Sequence, residues 1–175
     1  MKLSVFARRF LVPAPFVSLW YLFKFGCLIS FRSEVELSPN LKIGRKTVIG
    51  AFSKIKADRG PVVIGEQVDI AAGCQIFVGE GGITIGRDSL IGPNVTIVGV
   101  NYSYDSLDVP LRLQARQSKG IVVGPNVWVG AGACILDGTS IGTGVIVTPN
   151  SVVSAKIPAN AIVQGNPAKV IFIRR

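Results

Sequence analysis

The sequence predicts an all-β fold: a parallel β-helix of hexapeptide repeats, preceded by an apolar segment that reads as a helix. Three observations predict it. Aliphatic residues recur every six positions, and most are followed by glycine or another small residue. The breaks in the count all fall at the same point of a three-hexad cycle. A period of six matches neither a helix, about 3.6, nor an amphipathic strand, about 2. It is the period of a solenoid in which each hexad is one short strand plus a corner.

The rows can be written out. Leu37, Ile43, Ile49 and Ile55 are followed, nine positions on, by Ile64, Ile70 and Ile76. A second gap of nine leads to Ile85, Ile91 and Ile97. A gap of 26 leads to Val123, Val129, Ile135, Ile141, Val147 and Val153. Each gap exceeds six at the corner after the third face of a coil, which gives three stacked faces. The first is Ile43/Ile64/Ile85/Val123/Ile141, and the second is Ile49/Ile70/Ile91/Val129/Val147. The third is Leu37/Ile55/Ile76/Ile97/Ile135/Val153. This amounts to about five coils plus an entering strand. The small residue after each aliphatic lets the backbone turn.

At 175 residues the chain is long enough for one domain with a full core. It divides into an apolar, basic N-terminal segment (1–34), the β-helix (35–156) with a protruding loop (98–120), and a C-terminal cap (157–175). A column has open ends, so both terminal segments are expected to cover them.

The net charge of +9 is concentrated at one end. Residues 1–60 hold 11 Lys/Arg against Glu34, Glu36 and Asp58, whereas residues 61–175 hold 8 against 7. A basic end points to an anionic partner such as phospholipid headgroups or a phosphorylated lipid carrier, or else to a solvated face that aids solubility. Nucleic acid ranks last: the basic residues are not interleaved with exposed aromatics and no nucleic-acid module is present. Cys27, Cys74 and Cys134 form no CxxC, and the chain contains no His, so a Cys/His zinc site is excluded. Reduced thiols in a cytoplasmic protein, with no bound metal, are expected.

Phe10–Phe31 is strongly apolar, and Lys2, Arg8 and Arg9 precede it. Pro13 and Pro15 break its start and Lys24 lies inside it. Three readings stand: an interfacial segment at the inner face of the membrane, a cap packed on the core or on another subunit, and a spanning helix.

Loop 98–120, VGVNYSYDSLDVPLRLQARQSKG, is the one long polar excursion from the column. Such a loop reaches most naturally over a neighbouring column. Its Asn101, Tyr102, Ser103, Tyr104 and Asp105 are the chemistry-bearing candidates, with Arg112, Arg116 and Lys119 as a basic edge. Packing and turn formation are the competing roles for Tyr102, Tyr104, Asp105 and Asp108.

The segments IVVGPNVWVGAGACILDGTSIG (121–142) and SVVSAKIPANAIVQGNPAKVI (151–171) closely resemble the hexapeptide-repeat acyltransferases, nearest to the polysaccharide-biosynthesis O-acetyltransferases. The resemblance covers roughly residues 35–173. It implies a left-handed β-helix, a hand opposite to the usual crossover preference. It also implies a homotrimer with the active site between adjacent columns under the long loop, acetyl-CoA as acyl donor, and a saccharide or glycolipid acceptor. By position, Ala131, Pro149, Ser154, Lys156 and Lys169 correspond to CoA-binding positions. Pro149 stands where relatives have a small residue, and Ser154-Ala155-Lys156 where Thr-Lys-Asp is common. Trp128 reads as a groove wall that packs and does no chemistry.

Acyl transfer from a thioester needs a proton acceptor, donors for the oxyanion, and a positioned nucleophile. In the family the loop resembles Asp-His-Asn-His-Ser-Tyr-Asp; here Gly99-Val100-Asn101-Tyr102-Ser103-Tyr104-Asp105 replaces both imidazoles with Val100 and Tyr102. The resemblance together with charge makes Asp105, Tyr102 and Asn101 the candidate catalytic residues. Tyrosine is a poor base near neutral pH, with an ordinary pKa of about 10. Three outcomes stay open: transfer to a hydroxyl with Asp105 as base, transfer to an amine that arrives unprotonated, and an inactive trimer that serves as a binding or scaffold protein.

Overall fold

The computed structural model describes residues 12–175. Its body is a column of short parallel strands stacked in three sheets, of 8, 6 and 6 strands. The rows read from the sequence are the rows observed. On the first face Ile43 pairs with Ile64, Ile64 with Ile85, Ile85 with Val123 and Val123 with Ile141. The second face stacks Ile49, Ile70, Ile91, Val129 and Val147 in unbroken register. These side chains point inward and are buried. Burying a Val or Ile side chain stabilises by about 1.5–3 kcal/mol, so the repeated row is the main source of cohesion.

The third face needs one correction. Its first strand presents Val35, not Leu37, to Ile55. Leu37 is only half-buried at the edge of the core. The reason lies in the corner. Val35 and Ile43 are eight positions apart, so this coil also carries extra residues between its third and first faces. Counting strictly by sixes skips that insertion.

The column is also longer than the hexads indicate. Leu28–Ile29 pairs with Val48–Ile49, so the ladder starts inside the segment assigned to 1–34. At the other end Ile157 stacks on Ile141 and Val163 on Val147, inside 157–175. The strand Ala168–Ile173 then turns back antiparallel on Ala161–Gly165 and closes the second sheet. That last pairing covers the Ala161–Gly165 ladder and leaves Ala168–Ile173 as the outer strand of the sheet.

Two corners of each coil repeat one device. Lys46, Gln67, Asp88, Asn126, Gly144 and Asn160 occupy the corner between the first and second faces, each in the left-handed region. Asn94 and Asn150 do the same at the next corner. Asparagine and glycine tolerate this conformation best. At the third corner Gly82, Gly120 and Gly138 take the left-handed region, and every insertion leaves from this corner.

Below the first coil lies α1, Ala14–Phe25. Pro13 caps its start and Pro15 sits in the first turn, where a missing N–H costs nothing. Gly26, with φ of 66°, ends it and donates its N–H to the Leu22 carbonyl at 2.9 Å. The apolar run 10–31 is therefore not one helix: its described part is a short helix followed by a strand. Among the described residues no helix is long and apolar enough to cross a membrane. The helix covers the column with Val17, Ser18 and Tyr21.

Candidate active site

The site is built at the third corner, where strand Thr96–Val98 ends. Gly99 still follows the ladder, its N–H donating to the Phe77 carbonyl at 2.8 Å. The chain then rises as a two-stranded antiparallel stem, with Asn101 opposite Gln117 and Tyr102 opposite Arg116. Ser103 N–H donates to the Ala115 carbonyl at 2.7 Å. The Arg116 guanidinium lies 5.1 Å from the centre of the Tyr102 ring, a cation–π contact that fixes the ring's outer face. Gln117 Nε2 donates to Ser103 Oγ at 2.9 Å.

The tip is closed by one side chain. Gln114 Nε2 donates to the carbonyls of Ser106 and Val109, both at 2.8 Å, beside a single 3-10 turn at Leu111–Leu113. Tyr104 is 78% exposed and Leu107 fully exposed.

The root is held by two anchors. Ser118 Oγ donates to the Gly99 carbonyl at 2.6 Å and accepts the Gly81 N–H at 2.9 Å. Asp137, one coil further on, accepts the N–H groups of Lys119 and Gly120 at 2.8 and 2.9 Å. A side chain at Gly79 would collide with the Gly99 carbonyl and Ser118, so the bare glycine is what lets the root lie flat.

These contacts bring Asn101, Tyr102, Ser103, Tyr104 and Asp105 around one open depression of about 370 Å³, whose floor is Gln117, Lys119 and Asp137. All three candidate catalytic residues are therefore gathered. The depression offers two carboxylates, phenol hydroxyls, amides and one ammonium, which suffices to accept a proton and to orient a polyhydroxylated ligand. Asp137 and Gln117 are the residues that sequence reasoning missed. Asp137 lies in an otherwise regular corner, and nothing in the one-dimensional pattern relates it to Gly120.

The five candidate donor-binding residues are not gathered in one chain. Ala131 and Pro149 stack at the corner between the second and third faces, where Asn150 N–H donates to the Ala131 carbonyl at 2.9 Å. Pro149 packs directly over Gly130, which has no room for a side chain. Ser154 and Lys156 flank the opposite corner, two coils beyond the loop, and are exposed. Lys169 is exposed in the closing strand, opposite Gln164. Trp128 is 51% exposed on the outer side of the second face, between Leu90 and Ile146.

Residues 120–155 match the family of bacterial transferase hexapeptide repeats. Over 157 residues the chain is 32% identical to a candidate lipopolysaccharide-biosynthesis O-acetyl transferase, WbbJ, of Escherichia coli K12, covering 86% of this chain and 77% of that protein. The chain belongs to the hexapeptide-repeat transferases. Its fold is accordingly the left-handed parallel β-helix. The family likeness extends to the polysialic acid O-acetyltransferase of Escherichia coli O1:K1, 32% identical over 68% of this chain, although the match spans only 40% of that longer protein. Among solved structures, a hexapeptide-repeat acetyltransferase of Vibrio cholerae, complexed with acetyl coenzyme A, is 25% identical. It superposes with a TM-score of 0.56 over 97% of this chain and 82% of its own.

Proposed function

We propose that this hexapeptide-repeat transferase moves an acetyl group from acetyl-CoA to a hydroxyl or amine of a saccharide in cell-surface or exopolysaccharide synthesis. The observation that carries the reading is the convergence of Asn101, Tyr102 and Asp105 in one anchored depression at the insertion corner. The relatives' names, O-acetyl transferases of lipopolysaccharide and polysialic acid, support the substrate class. The complex of the Vibrio cholerae protein supports the donor.

The acceptor's oxygen or nitrogen attacks the thioester carbonyl carbon. The C–S bond breaks, CoA leaves as thiolate, and the acceptor's proton passes to the Asp105 carboxylate and on to the sulfur. Asn101 and Tyr102 donate hydrogen bonds that hold the acceptor or the oxyanion. An amine acceptor that arrives uncharged needs less from Asp105 than a hydroxyl does.

Ala131, Pro149, Ser154, Lys156 and Lys169 serve the donor, with the two lysines as point charges on phosphate. In one chain these residues and the loop are spread over two corners of the column. A site shared by adjacent columns of a homotrimer reunites them and places the exposed tip at Tyr104 and Leu107 against a neighbour.

One observation favours a second reading, a non-catalytic trimeric binding protein: the chain contains no histidine to act as base. Acetyl-CoA turnover, followed by thiol release with saccharide hydroxyl and amino-sugar acceptors, separates the two. Asp105→Asn is expected to lower kcat by about a hundredfold and Tyr102→Phe by about tenfold. Unchanged rates in both variants would contradict the assignment of these residues, and no turnover by the trimer with any acceptor would favour the binding protein.

A further inference from the structure

Helix α1 is apolar on the side that turns away from the column. Val17, Ser18 and Tyr21 face the core, while Phe16 is 67% and Phe23 85% exposed, flanked by Leu19, Trp20 and Leu22. A helix that is apolar all round belongs in an apolar surrounding on both sides, and the column supplies only one. The exposed apolar surface does not stop at the helix. A shallow groove runs from Leu19 and Leu22 past Leu28 to Phe31 and Val48.

Positive charge dominates this end; Glu34, in the strand beside the helix, is paired with Lys54 at 2.9 Å. Residues 1–33 contain Lys2, Arg8, Arg9, Lys24 and Arg32 and no Asp or Glu. Arg45 and Lys46, in the first coil, are exposed beside the helix, whose Phe25 carbonyl accepts the Lys46 N–H at 3.3 Å. Lys24 Nζ lies 4.6 Å from the centre of the Trp20 ring, so an ammonium and an indole share one level of the helix.

We propose that the N-terminal base of the column docks on an anionic phospholipid surface, with α1 lying in the headgroup layer. Phe16, Leu19 and Phe23 enter the acyl boundary, Trp20 sits at headgroup depth, and Lys24, Arg32, Arg45 and Lys46 meet lipid phosphates. Twelve residues span about 18 Å, against about 30 Å of hydrocarbon, so the helix lies in the interface and does not cross it. A second protein surface fits less well. It would have to match a stripe of large apolar side chains and at the same time supply acidic groups to a cluster with no acid of its own before Glu34.

This inference is independent of the proposed chemistry, and either can fail without the other. The test is sedimentation of the full chain with vesicles of phosphatidylcholine containing phosphatidylglycerol, and with vesicles of phosphatidylcholine alone. The full chain is expected to pellet with the anionic vesicles, less so as salt is raised, and weakly with the neutral ones. Phe16→Ser with Phe23→Ser should weaken binding by at least about tenfold, and Lys24→Glu with Arg32→Glu should weaken it on anionic vesicles only. Both phenylalanines are exposed, so the melting temperature should not move. Recovery of the wild-type chain in the supernatant with both vesicles would overturn the proposal, as would equal binding by the double phenylalanine variant. A change in that variant's oligomeric mass without lipid would overturn it too, because the face would then be a contact between protein chains.

Discussion

The Asp137 carboxylate accepts the backbone N–H of Gly120 at 2.9 Å and so ties the returning end of the long loop to the coil above it. The same carboxylate takes the Lys119 N–H at 2.8 Å. The depression that holds Asn101, Tyr102 and Asp105 therefore depends on a residue from a different hexad. Asp137→Ala leaves two amides without their acceptor. It should cost about 1–3 kcal/mol in chemical denaturation and lower kcat/KM by about tenfold or more through loss of positioning. Asp137→Asn keeps one acceptor oxygen and should recover part of both. Equal activity in all three proteins would show that the root does not position the site.

Ile135 is fully buried between Ile97 and Val153 in the third row. Ile135→Ala removes three carbons from a stack that cannot collapse along the column axis, because its neighbours are fixed by the ladder. A loss of about 2–5 kcal/mol is expected in equilibrium unfolding. A loss below about 1 kcal/mol would mean that the row is not the core.

Tyr21 joins α1 to the first coil, and burial, helped by the nearby Cys27 thiol, pushes its pKa up to about 12 from an ordinary 10.0. The neutral phenol is the form that the folded state favours. The contribution is therefore complete below pH 10, where the unfolded chain also keeps its proton, and it is lost as pH rises from 10 toward 12. Stability measured by denaturant titration should be flat in this respect below pH 10 and fall above it. Tyr21→Phe should remove part of that alkaline decline, and an unaltered decline would place the cause elsewhere.

The rows Ile43–Ile141 and Ile49–Val147 were legible in the sequence because a six-residue period has only one structural solution and each row has one aliphatic per hexad. The third row was legible except at its head. Val35 and Leu37 are both aliphatic and two positions apart, so each offers an inward side chain, and only the pairing with Ile55 decides between them. The start of the column at Leu28 was hidden because the apolar run continues through helix and strand alike, and period cannot separate a short buried helix from a buried strand. The loop was legible by position, and its Asn101, Tyr102 and Asp105 line one depression. Its anchors were not. Gln117 reaches Ser103 through the register of a two-residue stem, and Asp137 reaches Gly120 through coil stacking, and neither relation leaves a trace in spacing.

A CoA-dependent acyltransferase must bind its donor, and calorimetric titration of the 175-residue chain with acetyl-CoA measures that binding. Saturable binding, weakened by at least about fivefold in Lys156→Ala and Lys169→Ala through loss of phosphate contacts, is the predicted result. A folded, trimeric protein that takes up no acetyl-CoA would contradict it.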